Sequence, residues 1–259
     1  MKPVGDQPFI KTVEAGARPR LEAEIAGLAA LRATGTVRVP AAGALGEAQG
    51  KPFLELEHLE LRPLDRQSGA ALGRQLAALH RVSAEGFGWP TDNFIGVTAQ
   101  ANGWMDGWPR FFAERRLRPQ LQMAADGGGI DRMLRQDGEE LIEKVAAFFT
   151  AGHPAPSLLH GDLWGGNAGQ LPDGTPVIFD PACYFGDREA DIAMSELFGG
   201  FPDSFQAAYR EAWPLADGYE TRKTLYNLYH VLNHYNMFGA GYLNQAKRMI
   251  ARLRAELRG

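Results

Sequence analysis

Apolar and polar residues follow strand-like and helix-like spacings in the first sixty positions of the chain. The apolar segment PFIKTV at 8–13 predicts a short strand, and apolar residues recur at helical spacing over 20–33, followed by a Thr-Gly pair typical of a helix end. TVRVP at 36–40 and KPFLELEHL at 51–59 predict two more strands, joined by a turn region rich in glycine and alanine. The predicted order is β-α-β-β.

Helical patterns dominate after the first sixty residues. Ser68 is a candidate N-cap for a leucine-rich helix, and residues 110–124 predict another helix after the irregular segment 83–109, which is rich in Gly, Trp and Pro. Asp137 and Glu140 have the spacing of a capping box at the start of a further helix, EELIEKVAAFF. The pattern of this region indicates packed helices rather than a sheet.

A hairpin and a helical C-terminal region complete the pattern. The Asp-Gly pair of PDGT separates two short strands, and the residues from about Glu189 to the end have helical spacing. We therefore expect an α+β protein with a small β-rich N-terminal lobe, residues 1–60, and a larger, mostly helical C-terminal lobe, residues 61–259. Two lobes joined by one short connection place a cleft between them, and such clefts are common ligand sites.

Composition narrows the classes of function. The 259 residues are 45% hydrophobic and 22% charged, which is ordinary for a soluble globular protein. The net charge of -4 gives no indication of nucleic acid or an anionic membrane as a partner. The one cysteine, Cys183, fits a reducing compartment, and no apolar segment has the length of a signal-peptide core or a membrane span. We expect a cytoplasmic protein.

Three polar residues of the second lobe are the strongest candidates for chemistry. Asp162 and Asn167 stand five residues apart in the Gly-rich segment HGDLWGGN, and Asp180 ends the strand VIFD after the hairpin. Because the hairpin returns the chain, Asn167 and Asp180 are expected to converge, and their oxygens are hard ligands suited to Mg²⁺. Asp162 is then free to accept a proton from a substrate hydroxyl. The alternative is a glycine-rich surface turn.

The spacing of these residues matches the protein-kinase catalytic loop, H-R-D-x-x-x-x-N, with Gly161 at the arginine position. A kinase site also needs a lysine and a carboxylate that orient the nucleotide phosphates. Lys11 in PFIKTV and Glu24 on the next helix are the candidates, and Glu22 is the competitor for Glu24. Taken alone, Lys11 is typical of a solvated strand lysine; together with the catalytic loop, it predicts a phosphate-binding pair.

Segments along nearly the whole chain resemble the fructosamine kinase (ketosamine-3-kinase) family, within the aminoglycoside phosphotransferase and choline kinase-like superfamily. They are PFIK, EIAGLAAL, LGRQLAALH, FGWPTDNFIG, ERRLRPQ, HGDLWGGN, IFDPACYFGDREADIAM, LFGGF and LYHVLNHYNMFGAGY. The resemblance implies a two-lobed protein-kinase-like fold. It also implies ATP-dependent phosphorylation of the sugar 3-hydroxyl of ketosamines, which are the fructosamine or ribulosamine adducts of amines and protein lysines.

The resemblance also implies roles for residues at matching positions. Asp162 would be the catalytic base, and Asn167 and Asp180 would bind Mg²⁺. Lys11 and Glu24 would orient the phosphates of ATP. The expected cofactors are therefore ATP and Mg²⁺.

Two further contacts with ligands are expected. The strand LELEHL ends at the lobe boundary, where the backbone of Glu57, His58 and Leu59 would contact adenine; the strand is equally compatible with an ordinary solvent-facing role. Trp164 follows the base by two residues and is a candidate for stacking on the sugar or its amine, with packing as the alternative.

Four more residues of the second lobe are candidates for supporting roles. His230 and His234 have metal-ligand spacing on one helix face but lack an obvious third ligand, so lining the acceptor pocket is favoured over metal binding, while structural hydrogen bonding is the commoner role of such a pair. His160 is expected to order the catalytic loop through a hydrogen bond. The family resemblance implies that Asp191 braces the same loop, and the alternative is an acidic helix start.

Only ten residues precede Lys11, too few for the two strands and Gly-rich turn that cover the ATP phosphates in this family. We therefore expect an N-terminal lobe that lacks its first strands, which leaves an inactive binding module as one alternative. The other is a kinase for an aminoglycoside, a choline-like compound or another amino-sugar. The expected partner is a small-molecule ketosamine or a glycated protein lysine, bound by a monomer or by a homodimer that pairs through the uncovered sheet edge.

Overall fold

The computed structural model describes residues 7–150, 152 and 154–258. The strands are β1 (Phe9–Thr12), β2 (Ala42–Ala48), β3 (Lys51–Leu56), β4 (Asn93–Ile95), β5 (Thr98–Gln100), β6 (Ser157–Leu159), β7 (Ala168–Gln170), β8 (Pro176–Ile178) and β9 (Tyr184–Gly186). The α-helices are α1 (Arg18–Ala33), α2 (Arg66–Leu79), α3 (Trp108–Phe111), α4 (Arg118–Asp126), α5 (Arg132–Glu143), α6 (Glu189–Leu197), α7 (Asp203–Ala212), α8 (Tyr219–Phe238) and α9 (Leu243–Glu256). A π-helical segment, Phe112–Leu117, joins α3 to α4, and 3₁₀ segments occupy Val145–Phe148, Gly165–Asn167 and Ala240–Tyr242.

The N-terminal sheet has the antiparallel order β1-β3-β2, and Lys11 of β1 pairs with Leu54 of β3. The predicted order β-α-β-β is confirmed, but the predicted strand 36–40 is wrong. The second strand is β2, in the segment expected to be a turn, and Arg38 forms only an isolated bridge to Val177 of β8. Segment 36–40 therefore contacts the hairpin of the second lobe instead of joining its own sheet.

Two predicted helix starts are wrong. α2 is capped by Asp65, whose carboxylate accepts hydrogen bonds from the backbone of Gln67 and Ser68, so Ser68 is the third helical residue. The cap of α5 is Asp131, six residues before the predicted cap Asp137. Asp131 follows a glycine-rich break and accepts a hydrogen bond from the backbone of Leu134.

The other helices and hairpins largely agree with the sequence pattern. The hairpin at the Asp-Gly pair is confirmed by β7 and β8, and the helical C-terminal region by α6 to α9. The predicted helix 110–124 corresponds to the continuous run from α3 to α4. The segment 83–109, expected to be irregular, contains the short hairpin β4–β5. No helix in the described part of the chain is long and apolar enough to cross a membrane.

One of the two apolar clusters formed by the described residues contains residues from both sides of residue 60. Its buried members include Val13, Leu21, Leu28, Leu31, Leu54, Leu72, Leu76, Leu158, Ile178 and Phe205. α1 lies directly on the segment after β8: a Cβ on Gly27 would lie 3.0 Å from Cγ of Pro181. The expected lack of strands before Lys11 concerns residues 1–10, of which 1–6 lie outside the described residues.

Candidate active site

The loop after β6 carries Asp162 in a conformation that requires glycine beside it. Gly161 has a φ of +83°, in the left-handed region that side chains disfavour, and a Cβ there would lie 2.1 Å from the carbonyl oxygen of Ala182. The backbone of Ala182 in turn donates to the carbonyl of His160. Glycine at 161 therefore lets the loop pack against the segment that follows Asp180.

Asp191, near the start of α6, holds this loop through hydrogen bonds to its backbone. Its carboxylate accepts the backbone N–H groups of His160 at 2.7 Å and Gly161 at 2.9 Å, which confirms the predicted bracing role. The His80 ring lies 3.2 Å from the same carboxylate and 2.8 Å from the Tyr209 hydroxyl. Burial alone would raise the pKa of Asp191, but the interactions with His80, His160 and Gly161 outweigh it and lower the pKa.

Asp162 is held by the two neighbours that the sequence motif supplies. The side-chain nitrogen of Asn167 donates to the Asp162 carbonyl at 2.9 Å and to Oδ2 at 3.3 Å. The backbone N–H of Asp162 donates to Nδ1 of His160, whose Nε2 lies 2.9 Å from the Phe179 carbonyl, so the ordering role of His160 is confirmed. Burial raises the pKa of Asp162 to about 7, and the charges of Asp191 and Asp180 act in the same direction.

His230 of α8 faces the same aspartate. Its Nδ1 lies 4.0 Å from Oδ1 of Asp162 and has no hydrogen-bond partner among the described residues. The residue is 4% exposed, and burial lowers the pKa of His230 to about 3. A neutral imidazole therefore stands beside the candidate base near neutral pH.

Lys11 joins α1 to the end of β8. Its Nζ lies 2.7 Å from Oε2 of Glu24 and 2.8 Å from Oδ1 of Asp180, whereas the competitor Glu22 is exposed and pairs with Arg18. Burial alone would lower the pKa of Lys11, but the two carboxylates outweigh it and raise the pKa, while burial raises the pKa of Glu24. Asp180 adopts a φ of +54°, a conformation that aspartate tolerates better than most residues.

A cavity of about 590 Å³ brings most of the predicted site residues together. Those that line it are Lys11, Glu24, Asp162, Trp164, Asn167, Asp180 and His234. His230 contacts the site through Asp162. The structure does not bring Glu57, His58 or Leu59 to this cavity; Glu57 and His58 border a separate depression beside Ala41 and Ala42.

Several residues that line the cavity escaped the sequence analysis. They are Arg20, the hairpin residues Asn93, Phe94, Ile95, Gly96 and Val97, and Asn233, Met237 and Phe238 near the end of α8. The segment DNFIG belongs to one of the family-like stretches, but the Gly and Pro residues around it hide the alternating pattern of the short strands β4 and β5. The spacing of His230 and His234 predicted that these two residues of α8 line the acceptor pocket, but it gave no indication for Asn233, Met237 or Phe238.

The described residues contain no cluster of three or more His, Cys, Asp and Glu side chains that could hold a metal ion. A divalent cation at this site would therefore depend on Asn167 as well as on carboxylates. The amide nitrogen of Asn167 is committed to Asp162, which leaves the amide oxygen, and the carboxylate of Asp180 is 46% exposed. These hard oxygen donors fit Mg²⁺, which keeps several waters in its coordination shell.

Solved structures define the class of protein. The chain is similar in fold to the crystal structure of a Haemophilus somnus protein assigned as a fructosamine-3-kinase, with a TM-score of 0.85 and 34% sequence identity. The similarity covers 95% of this chain and 83% of that one. The ternary complex of the aminoglycoside phosphotransferase APH(2")-IIa with streptomycin and ATP has a TM-score of 0.59 at 14% identity, over 95% and 85% of the two chains. The chain has the fold of the kinase-like phosphotransferases.

The sequence comparisons give the family. The model of the fructosamine kinase family matches residues 2–256, and the chain belongs to that family. It is 46% identical to the "Probable ketoamine kinase slr1563" of Synechocystis sp. over 93% of this chain and 81% of the relative. It is 42% identical to the chloroplastic protein-ribulosamine 3-kinase of Arabidopsis thaliana, over 93% and 74% of the two chains. The protein is therefore a phosphotransferase that acts on a hydroxyl group.

Proposed function

We propose that this protein transfers the terminal phosphoryl group of ATP to the sugar 3-hydroxyl of a ketosamine. The names of the Synechocystis and Arabidopsis relatives support the acceptor, and the ATP complex of an enzyme with the same fold supports the donor. The observation that carries the proposal is Asp162: a half-buried carboxylate at the cavity wall, held by Asn167 and braced through Asp191.

Asp162 accepts the proton of the acceptor hydroxyl as the new O–P bond forms. A general base acts best when its pKa lies near the working pH, and the pKa of about 7 meets this condition. His160 and Asp191 hold the loop that carries it, so little reorganisation is needed during the reaction. Most of the catalysis in phosphoryl transfer comes from positioning and charge neutralisation.

Asn167 and Asp180 would hold Mg²⁺, which, when bound, neutralises charge on the phosphates. Lys11 would then contact the phosphates while Glu24 keeps it oriented, a role supported by its 2.7 Å ion pair. Because Lys11 also bonds to Asp180, the lysine that would contact the phosphates lies beside a residue that would hold the metal.

The adenine contact at Glu57, His58 and Leu59 stays a proposal, and the backbone indicates which residues are available for it. The N–H of Glu57 donates to the Ala41 carbonyl, whereas the backbones of His58 and Leu59 make no hydrogen bond within the described residues. We assign the nucleotide mainly to residues 1–60 and the acceptor to residues 61–259.

The acceptor side of the site would involve Trp164, His230 and His234. Trp164 is 39% exposed at the cavity, so its ring is available for stacking on the sugar. The partner is then a ketosamine, either free or on a protein lysine, bound by a monomer or a homodimer. A cytoplasmic location agrees with the free, buried Cys183.

An acceptor panel tests the proposed function. The purified protein is incubated with MgATP and, separately, with a fructosamine, a ribulosamine, an aminoglycoside or choline, and ADP release is followed. We expect kcat/KM to be highest for a ketosamine. A preference for the aminoglycoside or choline would contradict the proposed acceptor, and ADP release with none of the four would contradict kinase activity towards these classes.

A further inference from the structure

A group of exposed and half-buried aromatic side chains lies at the edge of the cavity. This aromatic rim consists of Trp164, Phe198, His234, Phe238 and Tyr242. The His234 ring lies at its centre, with ring centroids 4.9 Å from Phe198, 5.5 Å from Phe238 and 5.2 Å from Tyr242. Trp164 and Phe198 are also in edge contact, at 6.3 Å. The rim is therefore one continuous patch.

The rim is exposed to an extent that packing does not explain. Phe238 is 66% exposed and Trp164 and Phe198 are each 39% exposed, whereas core aromatics such as Trp108 and Phe112 are 1% exposed. Leaving aromatic surface in water forfeits the free energy of burying it. Contiguous exposed apolar patches on soluble proteins commonly mark binding sites.

The rim continues directly from the catalytic site. Trp164, His234 and Phe238 line the same cavity as Asp162, so a ligand whose hydroxyl reaches Asp162 extends outward across the rings. The remaining rim residues, Phe198 and Tyr242, extend this surface beyond the cavity lining. A substituent on the ligand, rather than its reacting sugar, would occupy that part.

The backbone fixes the rim in place. Gly165 of the catalytic loop lies against the glycine pair after α6, so that a Cβ on Gly165 would lie 2.7 Å from the carbonyl oxygen of Gly199 and 2.8 Å from Cα of Gly200. This close approach holds Phe198, which precedes the pair, beside Trp164. The catalytic loop is therefore in direct contact with the segment that carries Phe198.

The chemistry of the rim suits a cation on an aliphatic chain. Aromatic faces attract cations and repel anions because of the ring quadrupole. Nδ1 of His234 lies 2.8 Å from the His230 carbonyl and donates to it, which orients the ring at the centre of the rim. The cations that line the cavity, Lys11 and Arg20, are paired with carboxylates and so do not compete for the rim.

We propose that the aromatic rim binds the substituent on the ketosamine nitrogen and favours the methylene chain of a glycated lysine side chain over a substituent that carries a carboxylate next to the nitrogen. This inference rests on the proposed function. The ketosamine nitrogen is an alkylamine and carries a positive charge near neutral pH, as a lysine ammonium does. The rings cover the charged nitrogen and the methylene groups, and they disfavour a nearby carboxylate.

Three fructosamines with the same sugar test the inference. The sugar is attached to Nε of a lysine blocked at both ends, to methylamine, or to the amino group of glycine, and kcat and KM are measured with saturating MgATP. For the wild type we expect the highest kcat/KM with the lysine carrier and the lowest with glycine. Phe238→Ala and Phe198→Ala should each lower kcat/KM for both carriers, and the loss should be roughly tenfold larger for the lysine carrier than for methylamine. A higher KM should account for most of this difference.

Trp104→Ala provides the matched control, because Trp104 is an aromatic residue that is 49% exposed and lies outside the cavity lining. It should leave the ratio between carriers unchanged. Equal losses for all carriers in the two rim variants, or a wild type that does not distinguish lysine from methylamine, would overturn the inference while leaving ketosamine kinase activity intact. Absence of turnover on all three carriers would instead overturn the proposed function and, with it, this inference.

Discussion

Asp162, the proposed catalytic base, lies in an environment that disfavours its charged form. Its pKa is about 7 in the folded protein, against a usual value near 3.9 in an unfolded chain. Between these two values the folded state binds a proton that the unfolded state has lost. The free energy of unfolding therefore decreases as the pH rises through this window. The raised pKa that suits a general base near neutral pH thus lowers the stability of the folded protein.

Asp162→Asn should relieve this cost. We expect the variant to become more stable relative to the wild type as the pH increases from about 4 to about 7, because the amide does not ionise and the variant does not lose this part of its free energy of unfolding. Urea unfolding of both proteins at pH 5 and pH 8, without nucleotide or metal, measures the change. A difference that is independent of pH would show that the Asp162 carboxyl does not titrate in this window.

Glycine 161 sets the shape of the catalytic loop at the scale of the element. Gly161→Ala should disrupt the loop, because the new Cβ would lie 2.1 Å from the Ala182 carbonyl. Gly174→Ala is the matched control: Gly174 has a similar φ of +86°, but nothing lies within 4 Å of its Cβ position. The control should cost about 1 kcal/mol from backbone strain alone.

Thermal unfolding and kinase assays distinguish the two glycine variants. We expect Gly161→Ala to lose most of its turnover and to unfold at a lower temperature than Gly174→Ala. Similar melting temperatures and similar turnover in the two variants would contradict the proposed packing of the loop against Ala182.

Local signals in the sequence predicted most of the elements and missed those that depend on partners distant in sequence. Helical spacing and the Asp-Gly turn located α1 and the hairpin β7–β8. Val37 and Val39 are buried and have the alternating spacing of a strand, but their segment packs against β8 and does not join the N-terminal sheet. Asp131 caps α5 with a single carboxylate, a weaker signal than the capping-box spacing of Asp137 and Glu140.

At the scale of the whole molecule, Lys11 connects the N-terminal sheet to the catalytic segment. The Lys11–Asp180 contact spans 169 positions along the chain, and no sequence pattern predicted it. The sequence predicted the Lys11–Glu24 pair and the convergence near Asp162. It did not predict the hairpin β4–β5 as a cavity wall, and on α8 it predicted only His230 and His234, because the other contacts depend on how the helices pack.

Lys11→Met tests the role of this connection in nucleotide binding. MgATP should raise the melting temperature of the wild type in a concentration-dependent way, since a ligand that binds only the folded state stabilises it. The variant should need roughly tenfold more MgATP for the same shift, because it lacks one charge-assisted contact. Lys51→Met, at an exposed lysine of β3, is the control and should respond like the wild type. An equal response in Lys11→Met would contradict phosphate binding by Lys11.

The central claim is that Asp162 activates a ketosamine hydroxyl for phosphoryl transfer, and turnover with product analysis tests it most directly. Wild type and Asp162→Asn are incubated with MgATP and a fructosamine, and the position of the phosphate is determined by NMR. We predict a 3-phosphate from the wild type, and a rate roughly 10²- to 10⁴-fold lower in the variant with nucleotide binding retained. Phosphorylation at another hydroxyl, or wild-type turnover in Asp162→Asn, would contradict the account.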